Sequence, residues 1–378
     1  MPGRLLVVTN DFPPRAGGIQ AFVANLLARL PASSVVVYAS SSPGAAAYDA
    51  SLPYLVVRDP TTMLLPTPVV ARRVRAIARA EGTGSVWFGA AAPLGLLARG
   101  LRRSGADRLV ATTHGHEAGW AALPGGRSVL HRIGEDVDVL TYLGEYTRRR
   151  IARALSARAA GAMVALPPGV DTAVFHPGAG GTSIRQRHGL AGRAVVVCVS
   201  RLVPRKGQDV LIRALPQIRR RVPDAAVLLV GDGPYRPRLE RLVAELRLEP
   251  HVRFTGSVPW SELPAHYDAG DVFAMPARTR RGGLDVEGLG IVYLEASATG
   301  LAVVAGDSGG APDAVLDGRT GMVVPGRRVE LVADHVAGLL ADPGRAAVLG
   351  RAGREWVSAE WGWDRLAARL ARACGIAG

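Results

Sequence analysis

The chain has little sulfur. Two cysteines, Cys198 and Cys374, stand among 378 residues, far apart, with Cys198 inside an apolar strand-like run. That is too few for a disulfide framework, and it suits a reducing cytosol. No apolar run approaches the roughly 18–20 residues that a membrane span needs. The N-terminus, MPGRLLVVTND, enters a strand-like run with no cleavage site, so no secretory signal is expected. Gly and Pro are plentiful but scattered, with no fixed-period repeat and no low-complexity tract. There is no zinc-finger spacing, RNP-like string or basic-aromatic array, so nucleic acid is not an expected partner. No Walker A string and no full G-x-G-x-x-G occurs, which argues against ATPase and dehydrogenase chemistry.

Acidic residues are outnumbered. The net charge is +14, nearly all of it from arginine. Such an excess favours an anionic partner: a nucleic acid, an anionic lipid surface or a phosphorylated substrate. Arginine richness is also what a GC-rich genome produces. The segment Met63–Ala80 is apolar and broken by proline, then continues as an amphipathic helix carrying Arg72, Arg73, Arg75 and Arg79. It reads either as a helix lying on an anionic membrane or as a surface helix with a solvated basic face. The same two readings apply to Arg148, Arg149 and Arg150.

A chain this long exceeds what one core usually serves, so two domains are expected. Strand-like runs at Arg4–Thr9, Ser34–Ala39, Tyr54–Val57, Ser85–Phe88, Arg108–Thr113 and Val137–Tyr142 alternate with helical patterns. A second series begins at Ala194–Ser200 and continues through Ala226–Val230, Val252–Thr255, Asp271–Met275, Ala302–Ala305 and Met322–Val324. Between the series lies Leu166–Gly192, rich in Pro and Gly, which reads as a linker. The expected fold class is α/β, with two doubly wound Rossmann-like domains facing across a cleft. The predicted boundaries are 1–170 for the first domain and 171–355 for the second. A C-terminal helix over 356–378 is expected to cross back onto the first.

In open α/β sheets, ligands lie beyond the carboxyl ends of the strands. Candidate groups cluster there. Gly282–Glu295 reads GGLDVEGLGIVYLE: a glycine loop opening onto a helix, with Glu287 in the loop and Glu295 on the helix. A helix start offers free N–H groups and a positive dipole end to an anion. The same stretch also reads as a plain βα turn with two solvated glutamates. Arg201 and Lys206 follow the first strand of the second series, where a guanidinium fork and an ammonium suit a diphosphate. Gly17 and Gly18 open the first helix after the first strand. His114, His116 and Glu117 follow the strand LVATT, but no third ligand sits at a metal-binding spacing and HExxH is absent. A histidine on that loop is better read as a hydrogen-bonding group for a polar substrate.

Together, FPPRAGGIQ, THGHE, LPPGVDTAVFHP, SRLVPRKGQD, LLVGDGPY and DVEGLGIVYLEASATG make the chain resemble retaining glycosyltransferases of the GT4 family, which have the GT-B fold. The last string is that family's E-x7-E motif. TNDFPPRAGGIQ, VWFGAAAPL and RTRRGGLDVEGLGIVYLEAS narrow the likeness to bacterial GDP-mannose-dependent phosphatidylinositol mannoside mannosyltransferases. The resemblance implies that Arg201 and Lys206 hold the donor diphosphate and that Glu287 binds hydroxyls of the donor sugar. It implies backbone amides at Gly288, Leu289, Gly290 and Ile291 for sugar and phosphate, and Glu295 for the ribose. Gly17 and Gly18 would let the first loop approach the diphosphate, His114 would touch the sugar near its 6-hydroxyl, and Asp11 would bind the acceptor. No metal or other cofactor is implied, and no DxD-type motif stands in a suitable setting.

The partners expected are GDP-mannose or another nucleotide sugar and an anionic glycolipid, with peripheral contact at the cytoplasmic membrane face. One alternative keeps the enzyme class but uses another nucleotide sugar and a soluble glycoside or natural-product acceptor. Others are a nucleotide-sugar epimerase of the same fold and a non-catalytic sugar-nucleotide or lipid-binding protein. No residue pattern assigns an oligomeric state.

Overall fold

Short runs of β-branched residues bounded by glycine loops build a parallel sheet in each half of the chain. A computed structural model describes residues 4–376. The chain divides into two units, residues 4–169 with 363–376, and Val170–Gly362.

In the first unit the strands are β1 Arg4–Thr9, β2 Val35–Ser40, β3 Leu55–Asp59, β4 Thr83–Phe88, β5 Arg108–Thr112, β6 Val139–Tyr142 and β7 Val164–Ala165. Their order is β3-β2-β1-β4-β5-β6-β7, and every pair is parallel. Leu5, Leu6, Val7 and Val8 are wholly buried, which is why β1 reads as a continuous apolar run instead of an alternating one. The order reverses between β1 and β4, and this opens a crevice at their carboxyl ends.

The second unit holds β8 Val195–Val199, β9 Ala226–Val230, β10 Val252–Gly256, β11 Val272–Met275, β12 Ala302–Gly306 and β13 Gly321–Val324. Their order is β10-β9-β8-β11-β12-β13, again all parallel, with the switch point between β8 and β11. Helices Gln208–Arg221 and Val329–Ala341 pack on each other, and both bury apolar faces in this unit's core.

Two stretches differ from expectation. Leu166–Gly192 is not a free linker. Val170, Phe175 and Ile184 are buried in the core of the second unit, and Gly181–Arg187 is helical. Proline and glycine there shape turns over a packed surface. The strand β7, two residues long, is too short to leave a periodic signal. At the other end, helix Pro343–Glu360 stays on the second unit, because Val357 and Trp361 are buried in its core. The chain enters the first unit with helix Trp363–Cys374. Its Leu366, Leu370 and Ala371 share a core with Phe22, Leu26 and Leu27. Ser85 Oγ donates to the Cys374 carbonyl at 2.7 Å and Arg108 Nε to the Ala373 carbonyl at 2.9 Å, so the orphan carbonyls of that helix end are satisfied.

Candidate active site

In the second unit the site residues collect at the β8/β11 switch point. After β8 the chain makes a short turn, Pro204–Lys206, and then Gly207 in a left-handed conformation (φ 77°) that starts helix Gln208–Arg221. A Cβ on Gly207 would lie 2.0 Å from the Pro276 carbonyl oxygen, so a side chain has no room there. The Arg278 N–H donates to the Arg205 carbonyl at 2.8 Å, which ties this turn to the loop after β11. That tie carries Lys206 inward. Its Nζ lies 2.7 Å from Glu287 Oε2, with both side chains about nine-tenths buried. Arg205 Nε stands 3.9 Å from the same oxygen.

Glu287 is therefore not a solvated loop glutamate. Its N–H donates to Ser308 Oγ at 3.2 Å and its carbonyl accepts from Gly310 N–H at 2.8 Å. The loop after β12 approaches so closely that a Cβ on Gly309 or Gly310 would fall 2.1 Å from the carbonyl oxygen of Glu287 or Gly288. A carboxylate beside an anion site would repel the anion, and Lys206 at 2.7 Å offsets the charge of Glu287.

Gly290 is left-handed (φ 83°), and helix Ile291–Ala298 starts directly after it. Among the described residues the N–H groups of Gly288, Leu289, Gly290 and Ile291 have no acceptor. Four free donors in succession at the positive end of a helix form an anion cradle. Glu295 lies one turn further on and is half-buried. Its Oε2 accepts from the Tyr267 hydroxyl at 2.5 Å. Desolvation pushes this carboxyl up to about 7, against the opposing pull of the Tyr267 hydrogen bond and of Lys206. Arg201 is exposed at the end of β8, and among the described residues its guanidinium makes no ion pair.

The first unit carries its own groups at the β1/β4 crevice. His114, after β5, has Nε2 at 2.6 Å from the Gly89 carbonyl, and its ring meets Phe22 edge-on. A carbonyl only accepts, so Nε2 carries the proton and Nδ1 keeps its lone pair. Burial pushes the imidazole down to about 4, which leaves it neutral near pH 7. Glu117 of the HGHE string is fully buried. Its Oε2 accepts the His114 N–H at 2.9 Å and its Oε1 lies 3.3 Å from His116 Nε2, so this acid pins the loop. Among the described residues no group of three or more His, Cys, Asp or Glu is arranged to hold a metal ion.

Asp11 accepts from Gln20 Nε2 at 2.9 Å through Oδ1, and burial raises its carboxyl against the pull of Arg15 and His116. Gly17 and Gly18 are exposed at the start of helix Gly18–Leu27. Gly17 is extended. A Cβ there would meet only the movable end of Gln20, and one on Gly18 would meet nothing within 4 Å. Neither glycine is demanded by the local fold. Of the four arginines on helix Pro68–Ala80, Arg73 is committed to the buried carboxylate of Asp59, which Tyr38 also holds. Arg72 and Arg79 are exposed, and so are Met63, Leu65 and Val69, at 61%, 50% and 46%. No described helix is long and apolar enough to cross a membrane.

Comparison with known proteins agrees across the whole length. Residues 16–174 match the model of Glycosyltransferase Family 4, and residues 182–356 match that of glycosyl transferases group 1. The chain is 55% identical over 372 residues to the GDP-mannose-dependent alpha-(1-6)-phosphatidylinositol monomannoside mannosyltransferase of Mycolicibacterium smegmatis, covering 97% of each chain. The chain belongs to glycosyltransferase family 4. It is also 47% identical over 372 residues to the GDP-mannose-dependent monoacylated alpha-(1-6)-phosphatidylinositol monomannoside mannosyltransferase of Corynebacterium glutamicum, covering 97% of this chain and 96% of that one. Among solved structures, Anabaena HepE in complex with UDP superposes with a TM-score of 0.82 at 19% identity over 98% of each chain. Sucrose-phosphate synthase from Thermosynechococcus elongatus follows with 0.74 at 24% identity over 98% of each. The fold of this family 4 chain is GT-B.

Two features of the family 4 site were not anticipated from the sequence, the Ser308–Gly310 support and Tyr267, and the identity of Lys206 carried a signal beyond its position. Ser308, Gly309 and Gly310 support the Glu287 loop, and their signal was a Ser-Gly-Gly run closing a strand. Lys206 is the single lysine in a chain with 46 basic residues, which sets it apart from every other cation. Tyr267 left no signal, because it comes from a helix that carries no motif.

Proposed function

We propose that this chain is a retaining α-mannosyltransferase that moves mannose from GDP-mannose onto the 6-hydroxyl of a phosphatidylinositol monomannoside. The observation that carries this reading is the full-length 55% identity to an enzyme of that name, together with 54% over 375 residues to its Mycobacterium tuberculosis counterpart. The site geometry supports it. The free amides of Gly288–Ile291 with Arg201 and Lys206 suit a diphosphate. Glu287, held in place by Lys206, accepts hydroxyl donors of the sugar, and Glu295 accepts those of the ribose. In the first unit Gly17 and Gly18 leave room for the phosphates, neutral His114 offers Nδ1 to a sugar hydroxyl, and Asp11 takes an acceptor hydroxyl.

The acceptor oxygen attacks the anomeric carbon from the face that GDP leaves. A C–O bond to the acceptor forms as the C–O bond to phosphate breaks, and the acceptor proton passes to a phosphate oxygen of GDP. No side chain serves as nucleophile or general base. Fixed cations and amides offset the charge that develops on the departing diphosphate. The exposed apolar residues Met63, Leu65 and Val69, with exposed Arg72 three residues past Val69 on the same helix, suit peripheral contact with an anionic leaflet on the cytoplasmic side.

The test is transfer of labelled mannose from GDP-mannose to phosphatidylinositol monomannoside in anionic vesicles, with UDP-sugars and soluble glycosides as parallel arms. Mannolipid formation that is strongly reduced by Glu287→Ala in a folded protein is expected. Turnover of a UDP-sugar alone, or sugar isomerisation with no transfer product, would overturn the reading. Binding to the same vesicles is expected to fall when Leu65→Asn and Arg72→Gln are combined.

A further inference from the structure

Tyr267 lies on helix Leu263–Asp268, between β10 and β11, and is completely buried. Its ring stacks on Phe273 (centroids 5.8 Å apart, planes at 30°) and meets Phe175 edge-on at 5.7 Å. Clamped on two sides, the ring has no second rotamer to occupy. Its hydroxyl points at Glu295 Oε2, 2.5 Å away. The other carboxylate oxygen, Oε1, has no partner among the described residues.

A glutamate carboxylate swivels broadly about its last torsion, so a free one presents its oxygens in no fixed direction. A hydrogen bond to one oxygen from an immobile donor removes that freedom and aims the other. We propose that Tyr267 is the positioning residue of the nucleoside subsite: its hydroxyl locks Glu295 Oε2 and orients the carboxylate to receive the vicinal hydroxyls of a ribose. The proposal rests on the reading of Glu295 as the ribose ligand.

Charge adds a second effect in the same direction. A diol donates two hydrogen bonds, and an ionised carboxylate accepts them more strongly than a protonated one does. Desolvation works against ionisation of Glu295, while Tyr267 and Lys206 oppose it. Among the described residues no other titratable group acts on it. Glu287 is occupied with Lys206, and Cys198, whose thiol burial pushes up to about 12, stays neutral. Loss of the Tyr267 hydroxyl therefore raises the Glu295 carboxyl further and leaves more of it protonated at pH 7.

The experiment compares GDP with 2′,3′-dideoxy-GDP by calorimetry on the full chain, wild type and Tyr267→Phe, from pH 6 to 9. UDP and its dideoxy form run in parallel as a second nucleotide pair. Phe keeps both ring contacts and removes only the hydroxyl. Hydrogen bonds to charged groups set the scale, so the ribonucleotide Kd is expected to rise about tenfold in Tyr267→Phe at pH 7. The dideoxy Kd should barely change, and kcat should stay within about twofold, since the interaction is made equally in ground and transition states. The pH midpoint for ribonucleotide binding should move upward, a shift that a purely structural defect would not produce.

If wild type binds ribo and dideoxy forms equally, the ribose reading of Glu295 is wrong. If wild type discriminates and Tyr267→Phe keeps the same ratio and midpoint, that reading stands and the positioning role is refuted. Should the Phe variant not fold, 3,5-difluorotyrosine placed at residue 267 alone provides a stronger donor. It is expected to raise the ribo/dideoxy ratio, and an unchanged ratio overturns the proposal.

Discussion

Replacing Lys206 with Met tests the buried pair at the centre of the donor site. Met retains the stem and deletes the charge. Glu287, 6% exposed, then keeps a carboxylate with only Arg205 nearby, 3.9 Å away. Removing one partner of a buried pair costs about 3–5 kcal/mol, because the remaining charge is left desolvated. Arg205 compensates in part, so the lower end, about 3 kcal/mol, is expected. For a unit of this size each kcal/mol is worth about 2–4 °C, which puts the melting transition of Val170–Gly362 about 6–12 °C lower. Calorimetry reads this directly, and the transition of the first unit should not move. Lys206→Met combined with Glu287→Met should recover most of the loss, since a buried pair replaced by apolar residues of similar volume is often neutral. The reasoning is refuted if Lys206→Met costs less than about 1 kcal/mol, the range of exposed pairs, or if the double variant is no more stable than the single. Lys206→Arg should not rescue fully, because a planar fork does not fit a slot built around one ammonium at 2.7 Å.

Further outcomes follow from the same geometry. Glu295 titrates near 7 in the folded chain against 4.5 ordinarily, so its contribution to stability is fully present below about pH 4.5 and is lost as pH rises through about 7. Glu295→Gln should flatten that part of the pH–stability curve, and urea midpoints across the range check it. His114 should show a protonated Nε2 and a bare Nδ1 in nitrogen-15 spectra between pH 5 and 8; an imidazolium signal at pH 6 would contradict its burial. With its pKa lowered, it costs stability as pH falls from 6.5 towards 4. Gly207→Ala combines a left-handed backbone with a clash at the Pro276 carbonyl. A loss of about 2–4 kcal/mol is expected from the two terms, seen as a lowered Tm with weakened nucleotide binding.

Much of the fold was legible because parallel strands are buried on both faces. VVVCV and AVLLV announce themselves as apolar runs, and the glycine-rich turns between strands and helices mark the carboxyl edge where ligands lie. The donor site was legible for the same reason. Lys206, Glu287 and the Gly288–Ile291 turn each sit at a strand end or helix start, positions that local pattern identifies. Arg73 shows the limit of that method. On a helical wheel it belongs with the solvated basic face, yet a buried Asp59 on β3 claims it.

What the sequence determined by itself is therefore the order of strands and helices, and the type of chemistry gathered at their ends. Those follow from short apolar runs for the strands and a 3.6-residue period for the helices, from glycine where φ must be positive, and from charge placed in loops. Tertiary structure alone decided the state of each charge. Whether Glu287 is solvated or paired, whether Glu295 titrates near 4.5 or near 7, and which nitrogen of His114 holds the proton depend on partners far away in the chain: Lys206, Tyr267 and Gly89. Ionisation responds to distance and desolvation in three dimensions, and no local pattern encodes either.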